Sequence, residues 1–281
     1  WSASDIATSA DGATSVFAAD MDGDGDMDIV SASDEDDTIA WYENDGAENP
    51  TFTAADIATS ADGAASVYVA DLDNDGDMDI VSASMDDNTI AEYQNNLAAL
   101  DARSFAAADI TTSAETAWSV FAADMDNDGD MDIVSASATD DAIAWYENDG
   151  AANPSWSAAD IATSADGARS VVAADMDNDG DLDIVSASYK DDAIAWYEND
   201  GAANPSWSAS DIATSADGAT SVFAADMDND GDLDIVSASY EDDTIAWYEN
   251  DGAANPSFSA ADITTSADGV ASVYVADMDN D

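Results

Sequence analysis

A nine-residue acidic pattern, Asp-x-Asp-x-Asp-Gly-Asp-x-Asp, occurs five times in the 281 residues and begins a sixth time. The complete copies are Asp20, Asp22, Asp24, Asp26 and Asp28; Asp71, Asp73, Asp75, Asp77 and Asp79; Asp124, Asp126, Asp128, Asp130 and Asp132; Asp175, Asp177, Asp179, Asp181 and Asp183; and Asp226, Asp228, Asp230, Asp232 and Asp234. The sixth stops at Asp277, Asp279 and Asp281. Carboxylates at positions 1, 3 and 5 converge on one centre if the chain curls, and Gly at position 6 permits the sharp turn. Position 7 then offers its backbone carbonyl, and the Asp at position 9 closes the site. Several hard oxygens with multiple carboxylates suit Ca²⁺ better than Mg²⁺, which requires octahedral geometry and retains water. The chemistry expected is calcium binding, with about five complete sites and one partial site. An EF-hand starts with the same spacing, but position 12 is Ser31, Ser82, Ser135, Ser186 and Ser237 instead of Glu, and Ile-Val strands follow the loop.

Composition removes most other chemistry. There is no Cys and no His, which excludes thiol catalysis, disulfides, Cys/His zinc sites and His-based triads. Sixty-four acids face three bases, Arg103, Arg169 and Lys190, for a formal charge of −61. Such a chain repels nucleic acid and anionic membranes, attracts cations or basic partners, and suits salty or divalent-rich surroundings. No apolar run approaches the roughly 18 residues of a membrane span. Paired acids such as Asp242-Asp243 raise the question of a glycosidase. They recur in nearly every repeat, whereas catalytic residues usually occur once, so a non-enzymatic protein is expected. The pairs Trp41-Tyr42, Trp145-Tyr146, Trp196-Tyr197 and Trp247-Tyr248 could stack on sugars. Neighbours on a strand point to opposite faces, so one of each pair is expected to pack between sheets.

The elements that position these residues form one repeat array over 1–281, incomplete at its C-terminus. Starts at Trp1, Phe52, Phe105, Trp156, Trp207 and Phe258 give repeats 1–51, 52–104, 105–155, 156–206, 207–257 and a partial 258–281. Each unit is too small to bury its own apolar face. The fifth copy contains four short β segments, Trp207 to about Thr214, Ser221 to Ala225, Asp234 to Ser239 and Thr244 to Glu249, bounded by turn residues. The reading is an all-β fold, a β-propeller of four-stranded antiparallel blades of about 51 residues each, six- or seven-bladed when complete. Ala pairs such as Ala224-Ala225 suit an inner strand where blades crowd. The second copy is degenerate at Glu92-Tyr93-Gln94-Asn95-Asn96-Leu97, where a looser corner is expected, and the third replaces Asp-Gly by Glu115-Thr116. The first nine residues match a fourth strand, expected to lie unpaired or against another molecule, and Ala271 onward supplies a first strand and half a loop. The chain starts at Trp1, not Met, as a mature segment or fragment would.

The stretch Val222-Phe223-Ala224-Ala225-Asp226-Met227-Asp228-Asn229-Asp230-Gly231-Asp232-Leu233-Asp234-Ile235-Val236 resembles the FG-GAP or FG-GAP-like (VCBS) repeat, the blade unit of integrin α-subunit propellers and many secreted microbial proteins. The resemblance implies Ca²⁺ in the loop between the first two strands of a blade, on the face opposite the usual ligand surface. It also implies Asp226, Asp228, Asp230 and Asp234 as side-chain ligands and Asp232 as a carbonyl ligand, with the same offsets in the other copies. The Phe-Gly and Gly-Ala-Pro signatures of the integrin version are missing, so integrin-like ligand binding is not implied. The expected function is that of a secreted or cell-surface, calcium-stabilised scaffold for adhesion or assembly. The alternatives are a lectin-like propeller, an accessory domain of a polysaccharide-acting enzyme, or a subunit of an extracellular fibre. The partner expected is a protein or glycan on the face opposite the calcium loops, with self-assembly through open blade edges. That face carries the hairpins whose leading residues vary between copies, and Tyr189, Lys190 and Tyr240 are its candidate partner-binding residues.

Overall fold

Residues 4–96 and 104–277 are described by a computed structural model, and all regular structure among them is β. Twenty strands of six or seven residues form five four-stranded antiparallel sheets. The first sheet contains β1 (Ala13–Ala19), β2 (Asp28–Ser33), β3 (Thr38–Asn44) and β4 (Phe52–Ala58), paired in that order. The second contains β5 (Ala64–Ala70), β6 (Asp79–Ser84), β7 (Thr89–Asn95) and β8 (Phe105–Thr111). The third contains β9 (Ala117–Ala123), β10 (Asp132–Ser137), β11 (Ala142–Asn148) and β12 (Trp156–Ala162). The fourth contains β13 (Ala168–Ala174), β14 (Asp183–Ser188), β15 (Ala193–Asn199) and β16 (Trp207–Ala213). The fifth contains β17 (Ala219–Ala225), β18 (Asp234–Ser239), β19 (Thr244–Asn250) and β20 (Phe258–Thr264).

Each sheet is therefore offset from the repeat as counted in sequence. The Trp or Phe that starts a repeat lies on the fourth strand of the preceding sheet, so that Trp207 in β16 pairs with Asn199 in β15. The chain divides into two compact units, Trp1–Ala122 with Asp130–Ile133 and Tyr146–Ser157, and Ala123–Gly129 with Val134–Trp145 and Ala158–Asp281. The division runs through the third repeat.

Within each unit, successive sheets are held by alternating apolar residues and crowded first strands. In the first unit, Met21, Val30, Ile39 and Trp41 share a core with Ala64, Val67, Ile80 and Tyr93. In the second, Met176, Val185, Ile194 and Trp196 share one with Ala219, Val222, Ile235 and Tyr248. The small residues of the first strands let backbones approach: Val67 N–H donates to Ser15 Oγ at 3.3 Å, and Val222 N–H to Ser170 Oγ at 3.2 Å. The crowding expected of an inner strand is thus found at β1 against β5 and at β13 against β17. Burying one such Val removes it from water for roughly 1.5–3 kcal/mol.

The aromatic pairs depart from expectation. Both members are buried, Trp41 and Tyr42 at 4% and 6% exposure, Trp196 and Tyr197 at 3% and 4%. Trp41 meets Phe105 edge-on, and Trp196 meets Phe258 the same way. Little of either ring in these two pairs is left for a sugar, whereas Trp247 of the fifth sheet is half-buried. The segment from Ala271, expected to hold a first strand, has no ladder as far as Asp277, the last described residue. It nevertheless occupies the place of a first strand. Thr220 Oγ1 donates to Val270 O at 3.4 Å as Thr14 Oγ1 does to Ala64 O at 2.8 Å, and Tyr274 packs on Phe223 as Tyr68 does on Phe17. Residues 4–9 likewise carry no strand. The corner at 97–103, Trp1 itself, Arg103, Asp279 and Asp281 lie outside the described residues.

Before each first strand the chain turns through a left-handed residue, Gly12, Gly63, Gly167, Gly218 and Gly269 at φ 64–71°. Thr116 takes this place in the third repeat at φ 59°, a conformation that costs a β-branched residue about 1–2 kcal/mol. Thr116→Gly should raise the denaturation midpoint by about 0.5–1 kcal/mol of stability, the relief of strain less the added entropy of the unfolded glycine. A lower midpoint in the variant would show that Thr116 is not strained.

Candidate metal centre

The acidic loops join first to second strands, and each is built on backbone N–H groups turned toward carboxylates. In the second copy, Asp71 Oδ1 accepts from Asp75 N–H at 3.1 Å and its Oδ2 from Gly76 N–H at 3.1 Å. Asp73 Oδ1 accepts from Asp75 N–H at 3.2 Å, and Asp75 Oδ1 from Asp77 N–H at 2.9 Å. The fourth and fifth copies repeat the scheme at Asp175, Asp177 and Asp179 and at Asp226, Asp228 and Asp230. The position-6 glycines sit at φ 94–101° in Gly76, Gly180 and Gly231, with nothing within 4 Å of where a Cβ would lie. Conformation, not space, requires glycine there.

The carboxylates so placed come together. Ligand-type oxygens of Asp20, Asp22 and Asp28 lie within 4.8 Å of one another, as do those of Asp71, Asp73 and Asp79 and of Asp175, Asp177 and Asp183. In the fifth copy the trio is Asp226, Asp228 and Asp230. Asp24, Asp75 and Asp179 flank their trios through the turn bonds. The third copy straddles the division between the units. On one side Asp124 and Asp126 accept from Asp128 N–H at 3.1 and 3.2 Å, and on the other Asp132 accepts from Asn148 N–H at 2.8 Å. Asp277 is described without such a loop.

The ninth-position Asp is the buried anchor. Asp79 and Asp183 are 0% and 1% exposed. Asp79 accepts from Leu72 N–H at 2.9 Å and Asn95 N–H at 2.7 Å, and Asp183 from Met176 N–H at 3.1 Å and Asn199 N–H at 2.8 Å. Burial pushes both carboxyls up to about 7, against the opposing effect of these hydrogen bonds. Asp73 and Asp177 are also raised, first by burial and then by the charges of Asp75 and Asp179 respectively. A divalent cation would neutralise this crowding, and an all-carboxylate set of hard oxygens fits Ca²⁺. The seventh-position side chains turn elsewhere. Asp130, Asp181 and Asp232 accept from Asn74, Asn127 and Asn178 Nδ2 of the preceding loop at 2.6, 2.7 and 2.7 Å, which leaves the backbone carbonyl as the group position 7 could offer.

Two sets of residues escaped the sequence reading. Asn95, Asn199 and Asn250 end the third strands. Besides donating N–H to the ninth-position Asp, each donates Nδ2 to the loop of the preceding sheet, at Met21 O, Met125 O and Met176 O over 2.8, 2.9 and 2.8 Å. Their signal was recurrence at a fixed distance from the loop, kept even in the degenerate second repeat. The second set lies on the opposite hairpins. Asp37, Asp192 and Asp243 adopt φ 57–59°; their carboxylates accept from Gly63, Gly218 and Gly269 N–H at 3.1, 2.9 and 3.0 Å, and their carbonyls from Ala61, Ala216 and Ala267 N–H. The acid pairs that could have suggested hydrolysis thus include a staple to the next repeat.

The FG-GAP-like repeat family matches the chain at residues 20–82, 71–135, 124–186, 175–237 and 226–281. Among solved structures, the chain is similar to a lectin from Agrocybe aegerita that recognises non-reducing terminal N-acetylglucosamine, at 18% identity and a TM-score of 0.60 over 90% of this chain and 66% of that one. It is similar to a protein from Lactobacillus plantarum at 18% identity, TM-score 0.57, over 90% and 71% of the two chains. It is also similar to a periplasmic gluconolactonase from Pseudomonas aeruginosa at 11% identity, TM-score 0.55, over 87% and 72%. At these identities the likeness is one of fold, the β-propeller of four-stranded blades. The chain spans about two thirds of the lectin's length. No curated protein matches the chain in sequence. Among the described residues no helix is long and apolar enough to cross a membrane.

The raised carboxyls set a pH dependence. Between their unfolded value near 3.8 and about 7, Asp79 and Asp183 hold protons that the unfolded chain has shed. The metal-free protein therefore gains stability as pH falls through that window, whereas a bound cation requires the charged form. With Kd near ~0.1 mM, ~10 mM Ca²⁺ adds roughly 2.7 kcal/mol per site at alkaline pH. The calcium-induced rise in Tm should shrink as pH drops from about 8 to about 5. An equal rise at both pH values would refute it.

Proposed function

The chain belongs to the FG-GAP-like repeat family, and from that membership we propose that it is a calcium-stabilised β-propeller array acting outside the cell, or at its surface, as a non-enzymatic scaffold for adhesion or assembly. The observation that carries this reading is the recurrence of clustered carboxylates in loops that are bonded to the loops of adjacent sheets. Asp side chains at positions 1, 3, 5 and 9 and the position-7 carbonyl would hold the ion, whose part is to neutralise the loop. Metal sites repeated in this way serve the frame; catalytic constellations are usually single. The acid pairs on the opposite hairpins are engaged in turns: Asp242 accepts from Thr244 N–H at 3.2 Å, and Asp243 from Gly269 N–H. Strong acidity suits a setting rich in salt or divalent ions, where carboxylate repulsion is screened.

The hairpins opposite the calcium loops are the proposed partner face. Positions 14, 34 and 35 of each repeat cluster there and differ most between copies: Thr14, Asp34 and Glu35 in the first, Arg169, Tyr189 and Lys190 in the fourth, Thr220, Tyr240 and Glu241 in the fifth. Variable loops on a constant frame build specific surfaces. A carbohydrate-binding reading rests on the exposed tyrosine at this face, Tyr240, beside Tyr189. Self-assembly through open blade edges is the further part of this reading.

Binding of the calcium-loaded protein to glycan and protein arrays, with turnover followed on the same glycans, tests the reading. The expected result is saturable binding without turnover, lost on replacing Tyr189, Lys190 and Tyr240 together by Ala. Glycan cleavage would overturn the non-enzymatic assignment, and binding unaffected by the triple substitution would overturn the choice of face.

A further inference from the structure

The fourth and fifth sheets carry the same hairpin tyrosine but differ at the position that can cap it, Arg169 in one and Thr220 in the other. In the fourth, the register shift between Ala168 and Ser170 frees Arg169 from the ladder of β13, and its guanidinium carbon lies 3.8 Å from the centroid of the Tyr189 ring. The Tyr189 hydroxyl donates to Glu241 Oε1 at 2.8 Å, and its ring centroid is 6.5 Å from that of Tyr240. Lys190 pairs with Asp166 at 3.1 Å. One tyrosine is therefore capped by a cation from its own sheet. In the fifth sheet the shift between Ala219 and Ser221 frees Thr220 instead. Its hydroxyl donates to Ala238 O at 3.1 Å and Val270 O at 3.4 Å, and it has no group that can cap a ring. Tyr240 is 48% exposed, whereas Tyr189 is half-buried.

The surroundings favour positive charge. Glu241 and Asp242 follow Tyr240, and Asp217 is crowded by other acids, its carboxyl raised first by Asp192, then by burial and by Glu241. Arg169 and Lys190 are the only basic side chains among the described residues, against a chain charge of −61. A guanidinium is planar, weakly hydrated and stacks on aromatic faces better than a compact ammonium does. A neutral sugar could donate hydroxyls to these carboxylates but brings no charge to pair with their excess.

We propose that Tyr240 docks the guanidinium of an arginine in a basic, extended protein segment, which lies on the Tyr240 ring as Arg169 lies on Tyr189 and has Glu241 and Asp242 as counter-charges. The inference rests on the hairpin face being the partner face, and it names the class of partner that face takes.

Calorimetry of the calcium-loaded protein with a short peptide of alternating Gly and Arg, at about 0.15 M salt, tests it against the same peptide with citrulline or Lys in place of Arg. The arginine peptide should bind at least about fivefold more tightly than either control. Tyr240→Ala should lose about fivefold and Tyr240→Phe should stay within about twofold, with unchanged Tm in both. Thr220→Arg, which supplies a cap of the chain's own, should weaken binding as Tyr240→Ala does. Equal binding by wild type and Tyr240→Ala would overturn the proposal, since the acidic surface alone would then account for it, and so would equal binding of the citrulline peptide. Glycan binding on the array without any arginine preference would sink this inference and leave the scaffold reading standing; glycan turnover would sink the scaffold reading alone.

Discussion

Three carboxylates whose oxygens lie within 4.8 Å of one another, in a chain of charge −61, repel strongly unless protons or a cation intervene. Much of the surrounding structure holds that arrangement in place. The loop backbone donates N–H groups to the first, third and fifth Asp, and the ninth Asp is buried between the N–H of the loop and the N–H of the third strand. Hydrogen bonds to an ionised carboxylate contribute about 1.5–3 kcal/mol each, so the frame favours the charged form that burial alone would suppress. The balance leaves Asp79 and Asp183 titrating at about 7, where a cation can decide the outcome.

The two ends of each sheet divide the work. At the loop end, Asn side chains link one acidic loop to the next, at Asn127 to Asp181 and Asn178 to Asp232 and again at Asn199 to Met125 O and Asn250 to Met176 O. Each acidic loop is thereby tied to its neighbour within the unit. At the hairpin end, a left-handed Asp staples the first, fourth and fifth hairpins to the turn of the next repeat, and the residues that vary stand two and three places before it. A constant frame with variable tips is a way to carry specificity without rebuilding the core.

The clustering of the loop carboxylates was legible because one short segment contains it: alternate Asp with Gly at position 6 can be read without knowing any neighbour. Strand positions were legible too, since β18 runs from Asp234 to Ser239 as the apolar pattern indicates. What escaped depends on a neighbouring sheet. Asn250 reads as an ordinary strand end until Met176 O lies beside it, and Asp243 reads as a spare acid until Gly269 N–H reaches it. Trp196-Tyr197 looked one-sided because alternation describes a single sheet, whereas both members are buried in the fold. Ala271 onward has the residues of a strand, but a ladder needs a partner that sequence alone does not place.

Equilibrium dialysis of the protein against radioactive calcium at pH 8, with magnesium in excess, measures directly whether the acidic loops are calcium sites. Saturable retention of about one ion for each of the five complete loops, reduced by one in Asp175→Asn with Asp177→Asn, is the predicted result. Retention abolished by magnesium, or left unchanged when Asp175 and Asp177 are neutralised, would contradict it.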